Sequence, residues 1–215
     1  GDPQTALLMF AEIAATVIVF AIAVYAQAMK VEIPLSFGRV RGHGIRWPLQ
    51  FIYTSNMPVI LISALLANVQ LWARLLQNWG YPFLGTFSGN APATGFVAWI
   101  APPNIVGTAI RGGLTTSTLL QGAAFTIFMI IGAVIFSWFW VQTSGMDAQS
   151  QAKQMMASGL QIPGFRKDER VLERLLQRYI GPLTIMGAVT VGFLASLADL
   201  SGTPTNGTSL LLTVM

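Results

Sequence analysis

The sequence predicts an all-α membrane protein, a polytopic helical bundle. Three observations lead there. Hydrophobic residues make up 53% of the chain and charged residues only 9%, where a soluble domain carries about 25% charged residues. Mean hydropathy is +0.62. Apolar runs long enough to cross a bilayer alternate with polar segments, and ten of the twelve Lys and Arg fall in just two of those segments. There is no cysteine and a single histidine, His43. Disulfides, thiolate metal sites, cysteine nucleophiles and His-based metal clusters are thereby excluded. No signal peptide is visible. The chain begins without Met and ends inside the apolar run SLLLTVM, so we expect a piece of a longer membrane protein.

The first span is expected at 6–28. At 1.5 Å per residue it reaches roughly 35 Å, enough for the hydrocarbon core. Glu12 lies about two turns in. It reads first as an interfacial carboxylate that finds water or a partner helix, and second as a proton or ion site. Residues 29–50 form a polar loop in which Lys30, Arg39, Arg41 and Arg46 face only Glu32. KVEIPLS alternates like a strand. With RVRGHGIRW it can make a hairpin projecting from the membrane, although Pro34 counts against a strand.

The second span is expected at 51–71. It carries Asn56, Pro58 and Asn68 inside an apolar run, and amides in a membrane helix need another helix or water to answer them. This helix therefore faces something other than lipid. Asn56, Ile60, Ala64 and Asn68 are spaced by four and drift slowly round one face. Ordinary amide-mediated packing and a pore face fit that spacing equally. The stretch 72–118 holds Arg74 and Arg111 and no acidic residue. Its Gly, Pro, Asn and Thr predict short helices and re-entrant pieces at the interface, with Trp72, Trp79, Tyr81 and Trp99 as belt residues.

The third span is expected at 119–141, followed by a loop at 142–178 that carries Lys153, Arg166, Lys167, Arg170, Arg174 and Arg178. Within it, 168–179 reads as an amphipathic helix, with Asp168 as N-cap and acids before arginines to suit the helix dipole. Its arginine face suits anionic lipid. Arg166 and Lys167, at a turn beside Phe165, are better placed to meet phosphates of a partner, with the Arg166 guanidinium able to fork onto them. The fourth span is expected at 180–198, with Gly181-Pro182 marking a break from the loop helix. Ala188, Gly192 and Ser196 form a small-residue face for close helix packing. A linker at 199–209 leads to the start of a fifth span at 208–215. The two basic loops fall on one side of this arrangement. The positive-inside rule makes that side cytoplasmic and makes 72–118 and 199–209 external.

YTSNMPVILISALLANVQLW, the preceding IPLSFGRVRGHGIRWP, the later GLQIPGFRKDER and RYIGPLT, and the terminal GTSLLLTV together resemble the SecY family of protein-conducting channels, in its archaeal branch. The likeness runs in order through essentially the whole chain. It implies the sixth to ninth membrane helices and the start of the tenth, most of one half of an inverted-repeat clamshell. It further implies that Ile60 and Leu212 belong to an apolar pore ring and that Asn68 belongs to the lateral gate. The two basic loops then receive the ribosome, through Arg39, Arg41, Arg46, Arg166 and Lys167.

The implied partners are the N-terminal half of the channel, small SecE-like and beta-type subunits, the ribosome with its RNA, signal sequences and nascent chains, and membrane lipid. The implied location is the plasma membrane, multi-pass. No catalytic residue, metal or cofactor is expected. One alternative is half of an inverted-repeat secondary transporter, but Glu12 is the only ionisable residue within the core of a span. An intramembrane hydrolase is rejected. It needs a Ser-His pair, an Asp-Asp pair or a metal, and here His43, Asp2, Asp147, Asp168 and Asp199 all lie outside the span cores.

Overall fold

The computed structural model describes residues 3–37, 44–54, 56–89, 91–158, 160–161, 169–202 and 207–214. In chain order the elements begin with helix α1 (Pro3–Ala28) and the antiparallel pair β1 (Lys30–Phe37) and β2 (Gly44–Gln50). Then come α2 (Met57–Asn78), a short hairpin of β3 (Thr86–Ser88) and β4 (Ala91–Thr94), and two short helices, α3 (Phe96–Trp99) and α4 (Ile105–Ile110). The long α5 (Thr116–Thr143) is followed by α6 (Ala148–Ala157) and the two-residue strand β5 (Leu160–Gln161). The 32-residue α7 (Glu169–Leu200) and α8 (Gly207–Val214) complete the chain.

Among the described residues, four helical stretches are long and apolar enough to cross a membrane. They are α1, α2, Thr116–Ala157 (α5 and α6, parted at Ser144–Asp147) and α7. The membrane part is a helical bundle, as the composition predicts.

Small residues set the packing. A Cβ on Gly132 would lie 2.7 Å from Ile62 Cγ1, so α5 takes α2 in close contact there. A Cβ on Gly192 would lie 3.1 Å from Ala133 Cβ and 3.2 Å from Ile130 Cα, so α7 approaches α5 as closely on its other side. Ala188, Gly192 and Ser196 are all buried, and α5 is sandwiched between α2 and α7. Their shared core holds Val59, Ile62 and Leu66 of α2, Phe125, Met129 and Ala133 of α5, Val191, Leu194 and Ala195 of α7, and Leu211 of α8.

A second apolar cluster sits at the hairpin end. Ile33 and Leu49 of the hairpin, Tyr53, Val141 of α5, Ala152 and Met155 of α6, and Leu172, Leu176 and Ile180 of α7 meet there. The expected hairpin is present: β1 pairs with β2 from Lys30↔Gln50 to Ser36↔Gly44, and Pro34 is accommodated opposite Arg46. β5 adds to the other edge of β1 through Ser36↔Gln161 and Phe37↔Leu160.

Three expectations need correction. First, α2 starts at Met57, not at 51. Residues 51–54 turn beneath the bundle, where a Cβ on Gly187 would fall 2.9 Å from Phe51 O. Pro58 in the first turn needs no donor and suits a helix start. Second, Gly181-Pro182 does not break the helix, because α7 runs through it. Proline removes the hydrogen bond to the carbonyl four residues back. Arg178, which carries that carbonyl, lies on an exposed turn, and nothing crowds Gly181. Third, the 72–118 stretch contains a β-hairpin, β3–β4, besides its short helices. Asp168, the proposed N-cap, lies outside the described residues.

Candidate functional site

α2 divides into two faces. Val59, Ile62, Leu66 and Ala73 are buried against the bundle, while Leu61, Ala64, Leu65, Asn68, Leu71 and Trp72 are exposed. The residues spaced by four change environment along the helix. Asn56 is 4% exposed, Ile60 is half-buried, and Ala64 and Asn68 are exposed. Each four-residue step overshoots a full turn by about 40°, so three steps swing the row by about 120°.

The Asn56 side chain is buried, and neither its Nδ2 nor its Oδ1 has a hydrogen-bond partner among the described residues. Its backbone carbonyl accepts from Val59 N and Ile60 N, which starts the helix. Asn68 Nδ2 donates to Ala64 O of its own helix at 2.8 Å. That bond satisfies one donor locally and keeps the amide on the exposed face.

Leu212 is 53% exposed, whereas its neighbours Leu210 and Leu211 are buried at 5% and 1%. α8 therefore packs through one side and presents Leu212 away from it. Asp199 Oδ1 accepts from Gly207 N at 2.6 Å, which satisfies an amide in the first turn of α8. α2 and α8 touch. Between them lies a cleft of about 250 Å³ lined by Ser63, Ala67, Gln70, Phe125, Asp199 and Thr208 among others. Ile60, Asn68 and Leu212 thus belong to two helices that meet, with Asn68 and Leu212 on exposed surface. Glu12 is half-buried in α1 and joins neither the cleft nor this surface.

At the hairpin end, Arg46 is 78% exposed and pairs with Glu32 at 2.9 Å. An ion pair this exposed contributes only about 0–1 kcal/mol. Arg170, Arg174 and Arg178 are exposed on α7, and Lys30 and Lys153 are exposed beside them in sequence segments of the same end. Arg39, Arg41, Arg166 and Lys167 lie outside the described residues. What fixes this end is partly polar. Tyr53 Oη donates to Met146 O at 2.6 Å. Burial, and then the negative charge of Asp147, push the Tyr53 hydroxyl from its ordinary value of 10.0 up to about 12. Asp147 caps α6 by accepting from Ser150 N at 3.2 Å. Hydrogen bonding to the Ser150 side chain first, and then to backbone N–H groups, holds its carboxyl below the usual range. The buried Ser137 hydroxyl reaches Thr54 Oγ1 at 3.0 Å and Thr184 O at 3.4 Å, joining three segments.

Sequence reasoning missed the polar anchors of the opposite end. Gln77, on the last turn of α2, donates to Phe87 O at 3.2 Å and accepts from Phe87 N at 2.7 Å. Gln121 of α5 donates to Ala98 O at 2.5 Å. Asn104 Oδ1 caps α4 by accepting from Gly107 N at 2.7 Å, and its side chain fills the space over Gly202, whose φ of +69° suits glycine. The Gly-Asn pair between TFS and APAT was a readable hairpin signal. The glutamines carried none.

Residues 3–215 match the SecY family model. The protein translocase subunit SecY of Methanococcus vannielii is 43% identical over 202 residues, which is 94% of this chain and 45% of that protein. That of Pyrococcus horikoshii is 44% identical over 205 residues, 94% of this chain and 42% of that protein. A solved protein-conducting channel superposes with a TM-score of 0.80 at 42% identity, covering 95% of this chain and 46% of that one. Sec61 in the canine ribosome–channel complex from the endoplasmic reticulum superposes with a TM-score of 0.73 at 42% identity, covering 95% and 46%. The chain spans about half the length of the relatives it matches. By sequence and by fold, this chain belongs to the SecY family.

Proposed function

We propose that the chain forms one half of a protein-conducting channel, passing secretory polypeptides across the membrane and releasing membrane helices sideways. The observation that carries this reading is the likeness to a protein-conducting channel, 42% identical over 95% of the chain. α1, α2, α5 and α7 are its spans, and 208–215 begins a fifth. The loops 29–50 and 142–178 face the cytoplasm and 72–118 faces outward, in keeping with the ten basic residues in the two loops. On this reading the membrane is the plasma membrane.

Ile60 and Leu212 contribute to the waist of the pore. A passage for many sequences must hold none of them tightly. Aliphatic side chains meet that need, and they exclude ions by dewetting. Asn68 lies at the seam with the complementary half. An interhelical amide bond there is worth about 0.6–2 kcal/mol, enough to bias a gate and weak enough to release it. Arg39, Arg41, Arg46, Arg166 and Lys167 meet the ribosome, whose RNA phosphates suit guanidinium forks. The likeness to Sec61 in a ribosome–channel complex supports that partner. Small SecE-like and beta-type subunits complete the assembly.

Crosslinking tests the reading. A photoprobe at position 60 of the assembled channel is expected to capture a stalled secretory chain. Capture of small solutes, or of no translocating chain at all, overturns it.

A further inference from the structure

The outer segment between α2 and α5 is tied to both helices by side-chain amides. Gln77 clasps Phe87 through both its Nε2 and its Oε1, as a neighbouring strand would, at 3.2 and 2.7 Å. The Arg74 guanidinium lies 5.0 Å from the centre of the Phe87 ring. The hairpin so held is closed by further bonds of its own. Thr86 and Thr94 hydroxyls bond at 2.5 Å, and Val97 N donates to Leu84 O across its base at 3.1 Å. Gly95, at φ +81°, runs so close that a Cβ there would fall 2.9 Å from Leu84 O. The hairpin leads directly into α3, whose Val97 is fully buried. α3 is bound in turn to α5: Gln121 donates to Ala98 O at 2.5 Å, and the Phe96 and Phe128 rings meet edge to face at 6.3 Å.

We propose that residues 79–89 and 91–101 form a tie-bar between the outer ends of α2 and α5, with Gln77 and Gln121 as positioning residues that hold α2, and with it Asn68, in the closed-gate arrangement. The inference rests on the gate reading above. Gln77 is nine residues beyond Asn68 on the same unbroken helix, so holding the outer end of α2 also restrains Asn68. The amide clasp is suited to this task because each of its bonds is neutral and breakable. A buried charge pair at the same place would be costly to separate.

The test uses the assembled channel. Gln77→Met keeps the length of the side chain and removes both bonds. Gln77→Glu keeps the acceptor for Phe87 N and loses the donor. Gln121→Met cuts the bar at its other end. Two readouts are taken. One is export of a reporter behind a graded set of shortened signal sequences. The other is the distance distribution between spin labels at Asn78→Cys and Leu114→Cys, the only cysteines in this chain, with any cysteine elsewhere in the assembly replaced by serine.

Gln77→Met and Gln121→Met are each expected to broaden that distribution. Gln121→Met should also raise export behind a marginal signal about fivefold, the equivalent of one net hydrogen bond, and Gln77→Met, which removes two bonds, by up to about 25-fold. Gln77→Glu should fall between Gln77→Met and wild type. An unchanged distribution in both methionine variants overturns the tie-bar. A broadened distribution with unchanged export, in a channel where Asn68→Leu does raise export, overturns the positioning role and spares the gate. If Asn68→Leu is itself inert while the distribution broadens, the gate reading falls and the tie-bar stands.

Discussion

Gly132→Ala is expected to be rescued by a truncation on the facing helix. The new Cβ would sit 2.7 Å from Ile62 Cγ1 and closer still to Cδ1, and Ile62 is 1% exposed, packed in the core. Overpacking of this kind costs about 1–3 kcal/mol. Alanine also favours the helix over glycine by about 1 kcal/mol, so the single substitution registers only the difference. Ile62→Ala alone costs about 2–5 kcal/mol, because it opens a cavity. It also removes both offending atoms and leaves Ile62 Cβ 3.4 Å from the new methyl, an ordinary contact. The double variant should therefore be more stable than the sum of the singles by about 1–3 kcal/mol, and the helix-propensity contribution cancels in that comparison. The assay is reversible unfolding in mixed detergent micelles, with all four corners of the cycle measured. Additivity within about 0.5 kcal/mol would refute the close α2–α5 packing. Gly192→Ala offers a contrast. Two of its three nearest obstacles are backbone atoms, Ile130 Cα at 3.2 Å and Met129 O at 3.3 Å, and no side-chain truncation removes those.

Three further outcomes are expected. Ile60→Ser should raise the resting ion conductance of the assembled channel, since a polar waist wets more easily; a conductance equal to wild type places position 60 off the pore axis. Arg166→Glu with Lys167→Glu should weaken ribosome binding and lower the slope of log affinity against log salt by about 1 for each phosphate no longer neutralised; an unchanged slope removes both residues from the docking surface. Tyr53, whose folded pKa stands near 12 against an ordinary 10.0, adds stability that is complete below about pH 10 and is lost as pH rises through 12. Tyrosinate absorbance should show a late phase near pH 12 that Tyr53→Phe abolishes, and a titration without that phase argues against the buried position.

The long apolar helices were legible because a bilayer allows few solutions. A long apolar run must satisfy its own backbone, so hydropathy alone located α1, α2, α5 and α7. The small face of Ala188, Gly192 and Ser196 was legible for a related reason, since close backbone approach leaves few residue choices. Pro182 misled because the break rule describes a preference. An exposed turn beside an uncrowded glycine lets the helix continue. Ile60 and Leu212 could be singled out only by resemblance, because an aliphatic residue facing a pore has the same composition as one facing lipid. Gln77, Gln121 and Asn104 were invisible for a different reason. Their partners are backbone atoms of Phe87, Ala98 and Gly107. A backbone group carries no side-chain signature, so the sequence does not reveal which amide will find it.

Because α7 does not break at Pro182, it is one continuous helix of 32 residues, roughly 48 Å along its axis. Its first turns carry Arg170, Arg174 and Arg178, and its last turns hold the carboxylate that secures Gly207 at the head of α8. A hinge at Pro182 would have absorbed a push on the arginines by local bending. A helix continuous through Pro182 instead keeps both ends in one element, approaching α5 most closely where Gly192 meets Ala133. The basic turns and the carboxylate that secures the head of α8 therefore share one backbone, with no loop between them.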